Sequence, residues 1–111
     1  MGIWGTLPTS AQPELTLVRW RVFEIEDGAW HLVGFCIENH EGRVSSPVTG
    51  IDPVAAAATT YTGRTYRLDG PPGHDGHGDY VWSRWLAGYN TVVAHDRTDE
   101  VYAEICRAAH P

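Results

Sequence analysis

The first two thirds of the chain reads in strands and the last third in helices. From Leu15 to Ile25 the sequence is extended in character, rich in β-branched and aromatic residues. Asp27-Gly28 follows where a two-residue hairpin turn would sit, and a second apolar stretch runs on to Ile37. A two-residue turn pairs Glu26 with Ala29, setting Trp20 opposite Phe35, Val22 opposite Val33 and Val18 opposite Ile37. That register predicts one core face of Val18, Trp20, Val22, Val33, Phe35 and Ile37. The other face would carry Arg19, Arg21 and Glu38 with Phe23, Ile25, Trp30 and Leu32, and His31 would lie opposite Glu24. Glu41-Gly42 offers a second turn, returning through Val44, Ser46 and Val48 as the third strand of a meander.

Asp52-Pro53 has the form of a helix start, a capping carboxylate before Pro, and predicts a short turn. Ala57 to Tyr61, Thr62-Gly63 and Arg64 to Leu68 read as a second hairpin, with a helix through Ala55 to Ala58 as the alternative. Farther on, Asp79 is placed to cap a helix. Trp82, Trp85, Leu86 and Tyr89 fall at i, i+3, i+4 and i+7 on one face of it, and Gly88 would end it. Thr91 to Ala94 predicts a short strand. Thr98, with Asp99 and Glu100 in an acidic first turn, predicts a final helix with Val101, Ile105 and Ala109 on one side. The pattern implies an α+β fold: an antiparallel sheet, made of a three-stranded meander and a second hairpin, packed by one or two short helices. Residues 1–13 would form a flexible N-terminal arm, and 14–111 a single α+β domain.

Composition sharpens this outline. The 111 residues are 42% hydrophobic with five Trp and five Tyr, enough for a core and against extended disorder. No apolar run approaches the roughly 18–20 residues of a membrane span. The start of the chain has no basic segment of a secretory signal, so a cytoplasmic location is expected. Cys36 in a strand and Cys106 in a helix read as small buried hydrophobes. Net charge is −6, which argues against nucleic acid and anionic membranes and favours a basic partner surface. All eight basic residues are Arg, a composition expected of a GC-rich bacterial genome.

Three constellations could carry chemistry. The loop from His74 to Asp79 holds His74, Asp75, His77 and Asp79, all competent ligands for Zn²⁺ or a similar ion if His95 and Asp96 added rigidity nearby. Arg19, Arg21 and Trp30 would form a stacking platform for single-stranded nucleic acid. Trp82, Trp85 and Tyr89 form either core or a docking ridge. The His31–Glu24 pair would need a nucleophile and a pocket to act as a dyad, and no nucleophile motif accompanies it. No cofactor motif is present, and no cofactor is expected.

The stretches "LVRWRVFEIEDGAWHLVGFCIENHEGRVSS" (Leu17 to Ser46), "TGRTYRLDGPPG" (Thr62 to Gly73) and "DYVWSRW" (Asp79 to Trp85) resemble short, uncharacterised proteobacterial proteins. The resemblance extends from residue 15 to about 100 and transfers no catalytic residue. In size and composition the chain also resembles phage- or plasmid-borne inhibitors such as anti-CRISPR proteins. The reading is therefore a non-enzymatic, acidic protein–protein interaction module, docking on a basic site of a host or phage protein. Glu24, Glu26, Asp27, Glu38, Glu41, Asp96, Asp99 and Glu100 are its candidate contacts. The alternatives are a metal-binding protein or metal-dependent enzyme built on the His74–Asp79 loop, and a nucleic-acid-binding β module.

Overall fold

The computed structural model describes residues 8–110. Strands β1 (Glu14–Ile25), β2 (Trp30–Cys36) and β3 (Glu41–Val44) are followed by β4 (Val48–Asp52), β5 (Ala57–Thr60) and β6 (Thr65–Leu68). Helix α1 (Gly76–Gly88), strand β7 (Val93–Asp96) and helix α2 (Thr98–Ala109) complete the chain. The strands form one sheet in the order β3-β2-β1-β6-β5-β4, with β7 also against β1. Every pair is antiparallel except β1–β6. The α+β expectation stands. The meander and the second hairpin, however, are parts of one larger mixed sheet, joined by that parallel pair. Ala57 and Ala58 lie in β5, not in a helix.

Both hairpin turns are one residue longer than a two-residue loop. The Ile25 N–H bonds the Ala29 carbonyl and the Gly28 N–H bonds the Ile25 carbonyl, each at 2.9 Å. The loop is thus Glu26-Asp27-Gly28, with Gly28 at φ 94°, where a side chain would be strained. The second hairpin repeats this, with Thr60 N–H on the Arg64 carbonyl at 3.0 Å, Gly63 N–H on the Thr60 carbonyl at 2.8 Å, and Gly63 at φ 88°. The extra residue slips the register by one and turns over one set of side chains. Val22 pairs with Leu32, Phe23 with His31 and Glu24 with Trp30. The predicted core face is therefore corrected: Trp20 and Phe35 lie on opposite faces, Val18 is half-buried and Ile37 is exposed. His31 does not face Glu24. The next turn covers 37–40 instead of Glu41-Gly42, because Cys36 pairs with Glu41.

A bulge then resets the phase within β1. Val18 pairs with Phe35 and Arg21 with Val33, so Arg19 and Trp20 together oppose Gly34. Arg19 takes φ 47° to make the bend. A Cβ on Gly34 would lie 3.1 Å from both the Trp20 Cα and the Val18 carbonyl oxygen, so the bulge closes directly on glycine. Below the bulge Leu15 and Leu17 point into the core; above it Trp20 and Val22 do.

The sheet separates two cores. On one side Leu15, Leu17, Trp20, Val22, Leu32, Cys36, Ala58, Tyr66 and Leu68 pack with Val101 of α2. Trp20 meets the Tyr102 ring edge-on at 6.2 Å, and its Nε1–H donates to the Gly70 carbonyl at 3.0 Å. On the other side Ile25, Val33 and Trp82 are flanked by Phe23, Val44, Trp85 and Leu86. There α1 presses backbone to backbone on the sheet. A Cβ on Gly42 would overlap the His77 carbonyl, and one on Gly78 would lie 3.1 Å from the Gly34 carbonyl oxygen. The cap of α1 is Asp75, whose side chain accepts the Gly78 N–H at 3.0 Å, so the helix begins before the expected Asp79. Strand β7 runs from Val93, two residues later than predicted.

Neither β6 nor β7 covers the middle of β1. β6 pairs with Glu14 to Leu17 and β7 with Phe23 to Ile25. Between them the Gly73 N–H reaches the Trp20 carbonyl at 3.3 Å. The Thr98 hydroxyl accepts the Val22 N–H at 2.9 Å and donates to the Val22 carbonyl at 3.3 Å. The expected arm covers 1–13, of which 1–7 lie outside the described residues. Within the remainder, Gln12 exchanges amide hydrogen bonds with Asn39, and the Pro13 carbonyl accepts the Thr65 N–H. Among the described residues no helix is long and apolar enough to cross a membrane.

Candidate functional site

The His74–Asp79 loop divides into two separate pairs. His74 Nδ1 lies 3.3 Å from Asp79 Oδ2, and His77 Nδ1 lies 3.7 Å from Asp75 Oδ2. Asp75 is already engaged: besides capping α1, its Oδ1 accepts Nε–H and Nη2–H of Arg19 at 3.2 and 3.0 Å. Burial opposes its charge, but the Gly78 N–H and the Arg19 guanidinium outweigh that and hold its pKa below the ordinary carboxylate value. Among the described residues no group of three or more His, Cys, Asp or Glu side chains is arranged to hold a metal. Asp96, the proposed supplement, is on β7, paired with Arg21, and His95 is beside it on that exposed strand.

The nucleic-acid platform is not assembled either. Arg19 leans over the Phe35 ring toward Asp75, and Arg21 lies over Phe23 and bonds Asp96. The register slip carries Trp30 to the opposite face, where it packs against the α2 core beneath the Arg97 guanidinium, 5.3 Å from its ring centre. Arginines proposed as contacts are thus bound to the protein's own carboxylates.

The eight acidic candidates separate in the same way. Arg97 holds Glu24 at 2.6 Å and Glu100 at 3.0 Å, Arg43 holds Glu41 at 2.9 Å, and Arg21 holds Asp96. Glu38 accepts both the N–H and the hydroxyl of Thr16, at 2.7 and 2.8 Å. Burial works against its charge, and these bonds overcome it, lowering its pKa. Burial likewise opposes ionisation of Asp96, yet Thr98 and Arg21 bring its pKa down. Glu26, Asp27 and Asp99 are exposed and have no arginine partner among the described residues. Both thiols are free, and burial pushes that of Cys36 up.

The aromatic face of α1 is continuous from core to solvent. Phe23 stacks on Trp82 at 5.2 Å, Trp82 on Trp85 at 5.3 Å, and Trp85 meets Tyr89 at 4.5 Å. Trp82 is buried, Trp85 half-buried and Tyr89 69% exposed. His31 packs against Trp85 at 4.6 Å from the sheet side. Beside the last two rings opens a cleft of about 580 Å³, with Glu26 and Asp27 on its lip and His31 and Ser45 among its walls.

No family model, curated protein or solved structure matches this chain. Its site is therefore described by its own chemistry. Trp85 and Tyr89 carry an identifiable sequence signal, the i, i+4 aromatic spacing. His31 and the serines of 45–46 do not, because their place beside those rings depends on the three-residue turn.

Proposed function

We propose that the protein is a non-enzymatic interaction module that docks, through acidic surface, on a basic site of a partner protein. An inhibitor encoded by a phage or plasmid, anti-CRISPR-like in size and charge, is the form that fits best. The observation that carries the reading is how the charge is distributed. Fourteen acidic residues oppose eight arginines, and the ion pairs of Arg19, Arg21, Arg43, Arg97 and Arg107 are all made with the chain's own carboxylates. Outward charge is then acidic, with Glu26 and Asp27 at a hairpin tip and Asp99 in the exposed first turn of α2.

Complementary charge accelerates encounter and loses its effect with salt. The test is capture of the partner from host or phage-infected lysate, then association kinetics at two salt concentrations. Reversal of Glu26, Asp27 and Asp99 to Arg should slow association at low salt. Stability should fall by no more than about 1–1.5 kcal/mol per substitution, since all three are exposed, Asp27 losing the Ala29 N–H in its turn and Asp99 its place in the first turn of α2. Glu41 and Glu100 are unsuitable for this reversal because each would also break an internal arginine pair. A rate indifferent to salt and to all three reversals would overturn the reading.

A further inference from the structure

The cleft beside α1 combines three features that bear on a single ligand chemistry. Its outer wall is aromatic: Trp85 and Tyr89 lie 4.5 Å apart with their rings tilted by 31°, and Tyr89 is largely in solvent. Faces of such rings attract cations, and most favourably flat, weakly hydrated ones. Its lip is acidic. Glu26 and Asp27 stand there, and no arginine is among the residues lining the cleft. Glu26 takes one weak hydrogen bond from Thr91 at 3.3 Å, and Asp27 receives the Ala29 N–H within its own turn.

The third feature is His31. It is only 3% exposed, yet it lines the cleft. Its Nδ1 lies 2.8 Å from the Ser45 carbonyl oxygen. A carbonyl only accepts, so the neutral ring carries its proton on Nδ1 and leaves a lone pair on Nε2. No described group donates to that nitrogen. Nε2 is thus an acceptor without a described donor, on a residue that lines an acidic and aromatic cleft, and it is open to a donor from outside.

We propose that this cleft binds the guanidinium of an arginine side chain presented by a partner protein. The planar group stacks on the exposed Tyr89 ring at the end of the Trp82–Trp85–Tyr89 stack, directs N–H donors to Glu26 and Asp27, and offers another to His31 Nε2. An ammonium has the charge but neither the flat face nor the spread of donors. The inference rests on the reading of a basic partner and adds to it the residue that the partner inserts.

The experiment is an NMR titration of the full chain with a capped Gly-Arg-Gly peptide, alongside its citrulline and lysine counterparts. Saturable shifts are expected at the Trp85 indole N–H, the Tyr89 ring and the His31 ring, with the citrulline peptide weaker by about tenfold or more and lysine intermediate. Tyr89→Ala, at an exposed position, and the pair Glu26→Gln with Asp27→Asn should each weaken arginine binding while the remaining spectrum stays folded. Equal binding of citrulline, shifts mapping elsewhere, or no saturable shift at about 10 mM peptide would overturn the proposal. With a captured partner in hand, Tyr89→Ala associating as the parent does would overturn the cleft alone. Failure of the reading itself is signalled separately, by indifference to the charge reversals and to salt.

Discussion

Along the part of β1 that no outer strand covers, the hydroxyl of Thr98 takes up both backbone groups of Val22. The side chain is buried, so water is not available as a substitute. Thr98→Val keeps the shape and removes both bonds, leaving a buried N–H without a partner; the Val22 carbonyl retains the Arg97 N–H at 2.9 Å. The expected loss is about 1–3 kcal/mol, read from the urea midpoint at unchanged slope. Thr98→Ser retains the hydroxyl and should recover most of it. The same residue begins α2, so a single side chain ties the helix start to the central strand.

Among the elements, existence was far more legible in the sequence than register. Asp27-Gly28 and Thr62-Gly63 mark both hairpins correctly. Yet an x-Gly pair can close either a two- or a three-residue loop, and both can place the glycine at the positive φ found at Gly28 and Gly63; only the residue before it, at negative φ in Asp27 and Thr62, excludes the two-residue type I′ turn. The extra loop residue decided which side of the sheet Phe35, His31 and Trp30 occupy. The bulge was hidden for a related reason: its sign is the change from odd core positions (Leu15, Leu17) to even ones (Trp20, Val22), which a strict alternation overlooks. Thr98 as the start of α2 was readable from its acidic first turn, whereas the start of α1 was read at Asp79, four residues after the Asp75 that caps it. The aromatic ridge was visible, but the cleft beside it needed the corrected register.

The seat of α1 on the sheet gives the sharpest test at this scale. Gly42→Ala puts a methyl group into the His77 carbonyl, backbone that cannot rotate aside. The N-terminal turn of α1 must lift from β3, loosening the Asp75 cap and the Arg19 pair. Expected are a clear drop in thermal midpoint and altered near-ultraviolet circular dichroism from the Trp82–Trp85 stack. Gly50→Ala, where a Cβ meets nothing within 4 Å, is the matching control.

For the whole molecule, Glu38, Asp75 and Asp96 govern the acid limb of stability. Each has a folded-state pKa below its unfolded value. Their contribution is therefore complete above the unfolded values, near about 4, and is lost as pH falls through the folded ones. Urea midpoints should be flat around neutrality and decline below about pH 4. Asp75→Asn should lower the neutral plateau and make the decline shallower. A variant declining as steeply as the parent would mean that other carboxylates set the acid limit.

The arrangement around β1 also bears on how the protein is made. During synthesis the hairpin of β1 and β2 emerges early, but the other edge of β1 waits for β6 at Thr65–Leu68, and its middle and far end wait for Thr98 and β7. Until then a long apolar strand presents bare N–H and C=O groups, the surface on which unfinished chains pair with one another. Slow elongation through residues 65–98 therefore lengthens the interval in which this protein is open to aggregation, whereas changes of pace after Thr98 has docked leave that interval as it was.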